Sequence, residues 1–229
     1  MQQMINRQFG FGVALAVAVA VNVAAAQENP AGPDAVKMPG PVKVLKDFPD
    51  WVTSVACAPD GQTVAVGSYE QIQLFAAEEL EPTRKLKVAS GFARSMAFSP
   101  DGSLLAVGGY QAIDLWNTAD WSRAGTLKGH RGYVTGMTFT GDGKQLASSS
   151  EDARVLVWNV QNQSSTHEFR ELRTPIQSVA FSPDGKRLAY AVGDETLLSR
   201  PGAAKLVDLE SGDVTEVTPA PEKAAMDVT

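Results

Sequence analysis

Four short phrases set the architecture: CAPDG at 57–61, FSPDG at 98–102, FTGDG at 139–143 and FSPDG at 181–185. Their aspartates, Asp60, Asp101, Asp142 and Asp184, recur at intervals of 41, 41 and 42 residues. Each phrase has an apolar alternating stretch before it and another after it. The leading stretches are SVACAPDG, SMAFSPDG, GMTFTGDG and SVAFSPDG. The trailing ones are TVAVGSYEQIQLF, LLAVGGYQAIDLW, QLASSSEDARVLVW and RLAYAVGDETLLSRPGAAKLVDL. Alternation marks strands with two different faces, and an Asp-Gly pair between strands marks a tight turn. A unit of about 40 residues with four short strands is the pattern of a propeller blade. The expected fold is all-β, with four blades over residues 43–218.

The flanks read differently. Residues 1–26 have a polar start with the single charge Arg7, then the uncharged run FGFGVALAVAVAVNVAAA, with Ala24 and Ala26 before Gln27. This is the layout of a signal peptide, an uncleaved anchor being the alternative. Residues 27–42 read as a flexible lead-in and 219–229 as a flexible tail. Export implies a periplasmic or secreted location, with no membrane span after cleavage. Removing Arg7 with the leader moves the formal charge from −6 to −7. An acidic chain lacks the basic footprint of a nucleic-acid binder. Cys57 is the one cysteine. It aligns with Phe98, Phe139 and Phe181, so a buried thiol is expected there.

The third unit carries Gly129-His130, LASSSEDARVLVW and Trp158-Asn159. In these residues the chain resembles the WD40 repeat family. The resemblance implies a hydrogen-bonded network of His130, Ser148, Asp152 and Trp158 within one blade. The other units depart from it. Phe48 and Phe75 stand at the His and Trp positions of the first unit, Ala89 and Trp116 in the second, and Leu172 and Val207 in the fourth. Gly67, Gly108 and Gly109 are expected to permit close backbone packing. The fourth unit also carries an insertion within DETLLSRPGAA.

Residues at blade tops are the candidate interface: Trp51, Tyr69, Phe92, Tyr110, Arg131, Tyr133 and Arg173. Aromatic and Arg side chains are frequent interface anchors. The phrase style also resembles exported bacterial WD40 modules of planctomycete type, which implies an envelope cytochrome or another envelope protein as partner. No CxxCH is present for the chain to hold haem itself. No catalytic residue, metal site or cofactor is expected: there is no G-x-S-x-G elbow, and the turn aspartates belong to separate blades. The leading function is a non-enzymatic protein-interaction scaffold. The alternative is a small-ligand-binding or hydrolytic propeller with a central-channel site. Four blades are few for this family, so a homodimer of two half-rings is expected, against pairing with another repeat protein or a lone open unit. KVLKD at 43–47 reads as a surplus outer strand.

Overall fold

The computed structural model describes residues 48, 50–172, 174–193 and 202–217. The expected strand at 43–47, the leader, the lead-in, the tail after 218, Arg173 and the inserted residues 194–201 lie outside them. Fifteen strands and no helix occupy the described residues. The first unit is β1 (Ser54–Cys57), β2 (Thr63–Gly67), β3 (Tyr69–Ala76) and β4 (Pro82–Phe92), antiparallel in that order. The last unit repeats this with β12 (Ile176–Phe181), β13 (Arg187–Val192), β14 (Ala203–Asp208) and β15 (Val214–Val217).

The two middle units share a strand. β5 (Ser95–Phe98), β6 (Leu104–Gly108) and β7 (Tyr110–Asn117) pair with the first part of β8 (Arg123–Phe139). The last part of β8 pairs with β9 (Gln145–Ser150), which leads to β10 (Arg154–Asn159) and β11 (Ser164–Arg170). Units two and three therefore form one seven-stranded sheet. The three sheets do not close on themselves, as in an incomplete propeller.

The opening phrases are the turns between the first and second strands of each unit. Asp60, Asp101, Asp142 and Asp184 each accept a backbone N–H from two residues on, at 2.8–3.0 Å. Gly61, Gly102, Gly143 and Gly185 follow at φ of 69–72°, a region glycine enters without steric cost. In units two to four a hydroxyl two residues earlier (Ser99, Thr140, Ser182) also bonds the aspartate. Hydrogen bonds from Ser99 and Ser103 hold the Asp101 carboxyl below its ordinary range.

Each blade has two apolar faces, and burial arises where the forward face of one meets the back face of the next. Ala65, Ile72 and Leu74 of the first unit pack with Leu105 and Val107 of the second, joined by Met96 and Phe98. Ala106, Ile113 and Leu115 meet Leu146, Leu156 and Trp158, joined by Phe139. Ala147, Val155 and Val157 meet Leu188, Tyr190 and Val207, joined by Phe181. The phenylalanine of units two to four thus packs onto the unit before it.

This corrects the expectation for Cys57, which is exposed. It occupies the Phe98 position on the first described unit, where no described blade precedes it. The alternation places Cys57 on the same face as the three phenylalanines, but burial at that position depends on a preceding neighbour.

Close approach does demand glycine. A Cβ on Gly67 would lie 2.5 Å from Ser54 Oγ and 2.8 Å from the Ala93 carbonyl; one on Gly108 would lie 2.6 Å from Ser95 Oγ and 2.8 Å from Val134 Cβ. Ser54 pairs with Gly67 and Ser95 with Gly108 across the strands, and the third unit swaps the order to Gly136 and Ser149. One residue of each pair stays small because the chain crosses to the next unit there. The fourth unit pairs Ser178 with Ala191, where no described chain crosses.

Candidate functional site: a blade network and an aromatic rim

The structure brings His130, Ser148, Asp152 and Trp158 together. Trp158 Nε1 donates to Ser148 Oγ at 2.8 Å, and His130 Nε2 lies 2.7 Å from the same hydroxyl. His130 Nδ1 faces Asp152 at 3.2 Å. A proton on Nδ1 donated to Asp152 leaves Nε2 to accept from Ser148, so each member has a partner. The tight turn after β9 places Asp152, with Ala153 at φ 63°. Asp152 also accepts the Arg131 N–H at 2.6 Å and Arg154 Nη2 at 2.7 Å. Burial pushes the Asp152 carboxyl up, but the hydrogen bonds from His130, Arg131 and Arg154 outweigh it and hold it well below the usual range.

Arg154 was not singled out in the sequence. It donates to the Gly129 carbonyl at 2.5 Å and to Glu168 at 3.3 Å, tying β10 to the start of the network and to β11. Two further clusters were missed as well. Asp114 is buried and bonded through one oxygen to Arg123 and Thr126. In the fourth unit Glu171 accepts from Tyr190 Oη at 2.8 Å and Lys205 Nζ at 2.7 Å. Burial and the Glu171 carboxylate raise the Tyr190 phenol. Leu172, aligned with His130 in the sequence, is 94% exposed. By strand register Glu171 sits one place earlier, at the position that Gly129 holds in the third unit. Tyr190 replaces Ser148, and the fourth blade is held by an acid, a phenol and an ammonium instead.

Trp116 supplies a contrast with Trp158. Its indole nitrogen is buried without a partner among the described residues, because Val107 stands where Ser148 stands in the third unit. Replacing Trp158 by Phe removes the donor to Ser148 Oγ, which keeps His130 as its partner, and should cost about 1 kcal/mol for the lost hydrogen bond, while the same change at Trp116 loses no hydrogen bond and should cost less. Urea midpoints of the two variants measure the difference, and equal shifts would contradict it.

The interface candidates among the described residues gather at one end of the blades. Tyr69 is opposite Phe92 in the β3–β4 pairing, with ring centroids 4.9 Å apart. Tyr110 is opposite Tyr133 in the β7–β8 pairing, at 5.1 Å. Arg94 lies over the Tyr133 ring at 5.5 Å and pairs with Glu151 at 2.7 Å, linking units two and three. Trp51 precedes β1 as Phe92 precedes β5 and is 81% exposed. Tyr69 and Tyr110 are about half exposed, at 46% and 49%. Arg131 is exposed, with Gln111 Nε2 donating to its carbonyl at 3.3 Å. The positive φ of Glu70 and Gln111 belongs to the tight turns that lift the two tyrosines. Phe92 and Tyr133 are half-buried, so they support the rim more than they present it.

Among the described residues no group of three His, Cys, Asp or Glu side chains could hold a metal ion. No helix among them is long and apolar enough to cross a membrane. The buried acids Asp114 and Asp152 bond partners in their own blades.

Comparison with known proteins agrees with this architecture. The family profile "WD domain, G-beta repeat" matches residues 40–72, 80–117 and 121–159, three of the four units. No curated protein matches. The solved structure of U3-55K superposes with a TM-score of 0.67 at 22% identity, covering 76% of this chain and 54% of that one. The crystal structure of RRP9 WD40 repeats gives 0.67 at 22%, covering 76% and 53%. Kuenenia stuttgartiensis hydrazine synthase gives 0.66 at 18%, covering 76% and 51%. This chain therefore spans about half the length of the solved structures it matches, and at these identities the likeness shows the fold. WD40 domains generally mediate protein interactions. With its repeated turns, blade-to-blade joints, within-blade network and three matched repeats, the chain belongs to the WD40 repeat family.

Proposed function

We propose that the chain is an exported, non-enzymatic interaction scaffold, and that its docking surface is the aromatic rim. The observation carrying this reading is the exposure of Trp51, Tyr69 and Tyr110 at one end of the blades, over a rigid base of paired rings and Arg94. Such aromatics supply large contact area with little loss of side-chain freedom. The partner is a protein of the cell envelope, a separate cytochrome among the candidates, and the chain works as a homodimer of half-rings. Export rests on the charge-free run 9–26 and the Ala24/Ala26 site.

The test has two arms. Mass spectrometry of the protein recovered from its native host should find an N-terminus at Gln27 in the envelope or medium; an intact Met1 in the cytoplasm would contradict export. Immobilised chain should capture one envelope protein reproducibly, and a Trp51→Ala, Tyr110→Ala double variant should retain about a tenth or less of that capture, consistent with the loss of two anchors. Equal capture by folded variant and parent would remove the rim from the interface.

A further inference from the structure

The fourth blade is built with a joint face that nothing among the described residues covers. Its forward side carries Ala180, Ala189, Ala191, Ala204, Leu206 and Val217, with the small polar Ser178 and Thr215 among them, aligned through the strand registers. The equivalents of Ala189 in the other units, Ala65, Ala106 and Ala147, are completely buried. Ala180, Ala189, Ala191 and Ala204 are exposed, Leu206 is half-buried and Val217 is 54% exposed. Charge on this face is confined to its end, where Arg187 and Asp208 approach to 4.0 Å. Small apolar residues here serve no local purpose on a solvent-facing sheet, whose outer positions are ordinarily polar.

The other joints show what such a face receives. At each of them it takes the back face of a blade, with a phenylalanine from its first strand: Phe98, Phe139 and Phe181. The corresponding residue of the first unit, Cys57, is exposed, and Val55 beside it is half-buried. Among the described residues, the fourth blade thus has an uncovered forward half-joint and the first a partly open back half-joint. The rest of the first unit's back face, Val64, Val66 and Phe75, is buried, with Phe48 edge-on to Phe75 at 6.1 Å. What this face leaves open is its edge at Val55 and Cys57.

We infer that the forward face of the fourth blade receives the back face of the first blade of a second copy, around Val55 and Cys57. Two such joints bring eight blades into one closed assembly, a two-fold arrangement that leaves no end blade uncovered. This rests on the homodimer reading above and specifies its contact. Pairing two fourth blades would set alanine faces against each other and leave both back half-joints open. Cys57 marks the joint as looser than the internal ones, since a thiol fills the place of a phenyl ring. The two Cys57 residues lie in separate joints, so no disulfide links the copies.

The experiment is the solution mass of the full chain by light scattering during size exclusion, over a hundredfold range of concentration, with the variants A189R and C57F. Ala189 is exposed, so A189R should keep the parent circular dichroism and melting behaviour while the mass falls from two chains to one. C57F should tighten self-association roughly tenfold, by restoring the ring found at the internal joints. A single-chain mass for the parent throughout, a mass above two chains, or a two-chain mass indifferent to A189R overturns the proposal. A189R leaves every rim aromatic in place, so partner capture that survives loss of the dimer separates this contact from the docking reading.

Discussion

Replacing Asp152 by Ala is expected to destabilise the fold by about 3 kcal/mol, the lower end for breaking a buried ion pair. The carboxylate accepts from His130, from the Arg131 and Arg154 backbone N–H groups, and from the Arg154 guanidinium. Its side chain is 7% exposed and that of Arg154 10%. Truncation leaves a buried cation without its main counter-ion and frees His130 from its orienting partner. Arg154 keeps Glu168 and the Gly129 carbonyl, which holds the cost toward the lower figure. The sign with pH follows from the depressed carboxyl. Its contribution is full above the unfolded-state value, about 3.9, and is lost as pH falls through the lower folded value. Denaturant unfolding of parent and variant should differ by a constant amount at pH 5–8 and converge in strong acid. A difference below about 1 kcal/mol at pH 7 would show that the network is not a main support of the third blade.

The second large effect is expected at Gly108. Substituting Val should cost about 3 kcal/mol, the upper range for overpacking. The Cβ alone would stand 2.6 Å from Ser95 Oγ and 2.8 Å from two atoms of Val134, and the two methyls add to the crowding. Val134 is completely buried at the start of the next blade, so relief would require the joint to open. Enlarging Ala191, the corresponding place in the fourth blade, to Val meets no described blade of this chain and should cost well under 1 kcal/mol by the usual behaviour of exposed sites. Thermal melting of G108V and A191V tests the pair, and similar losses would refute the crowding argument.

Much of the fold is legible because its determinants are local. The PDG turns need only an Asp that bonds its own backbone and a Gly at positive φ, and alternation assigns the strand faces. The four network residues are readable from the third unit because family resemblance attaches a partner to each. Cys57 shows the limit: its neighbours in sequence specify a face, but exposure depends on whether another blade covers that face. The Glu171–Tyr190–Lys205 cluster was hidden because it joins residues 34 positions apart, and alignment placed Leu172 one residue from the true contact. Arg154 and Asp114 were hidden for a related reason. Charged side chains in strands usually point to water, and only the packed sheet shows that these two face protein.

The shared strand β8 carries a consequence for how the molecule comes apart. A strand of 17 residues belongs to two blades at once, so neither can lose its ladder without fraying the other. Blades two and three should therefore open as one cooperative unit, with the slowest amide exchange along β6 to β10. The outer sheets hold no strand in common with that block, and β15 is exposed along its length. They should exchange through smaller, independent openings, and unfolding should advance inward from the two ends.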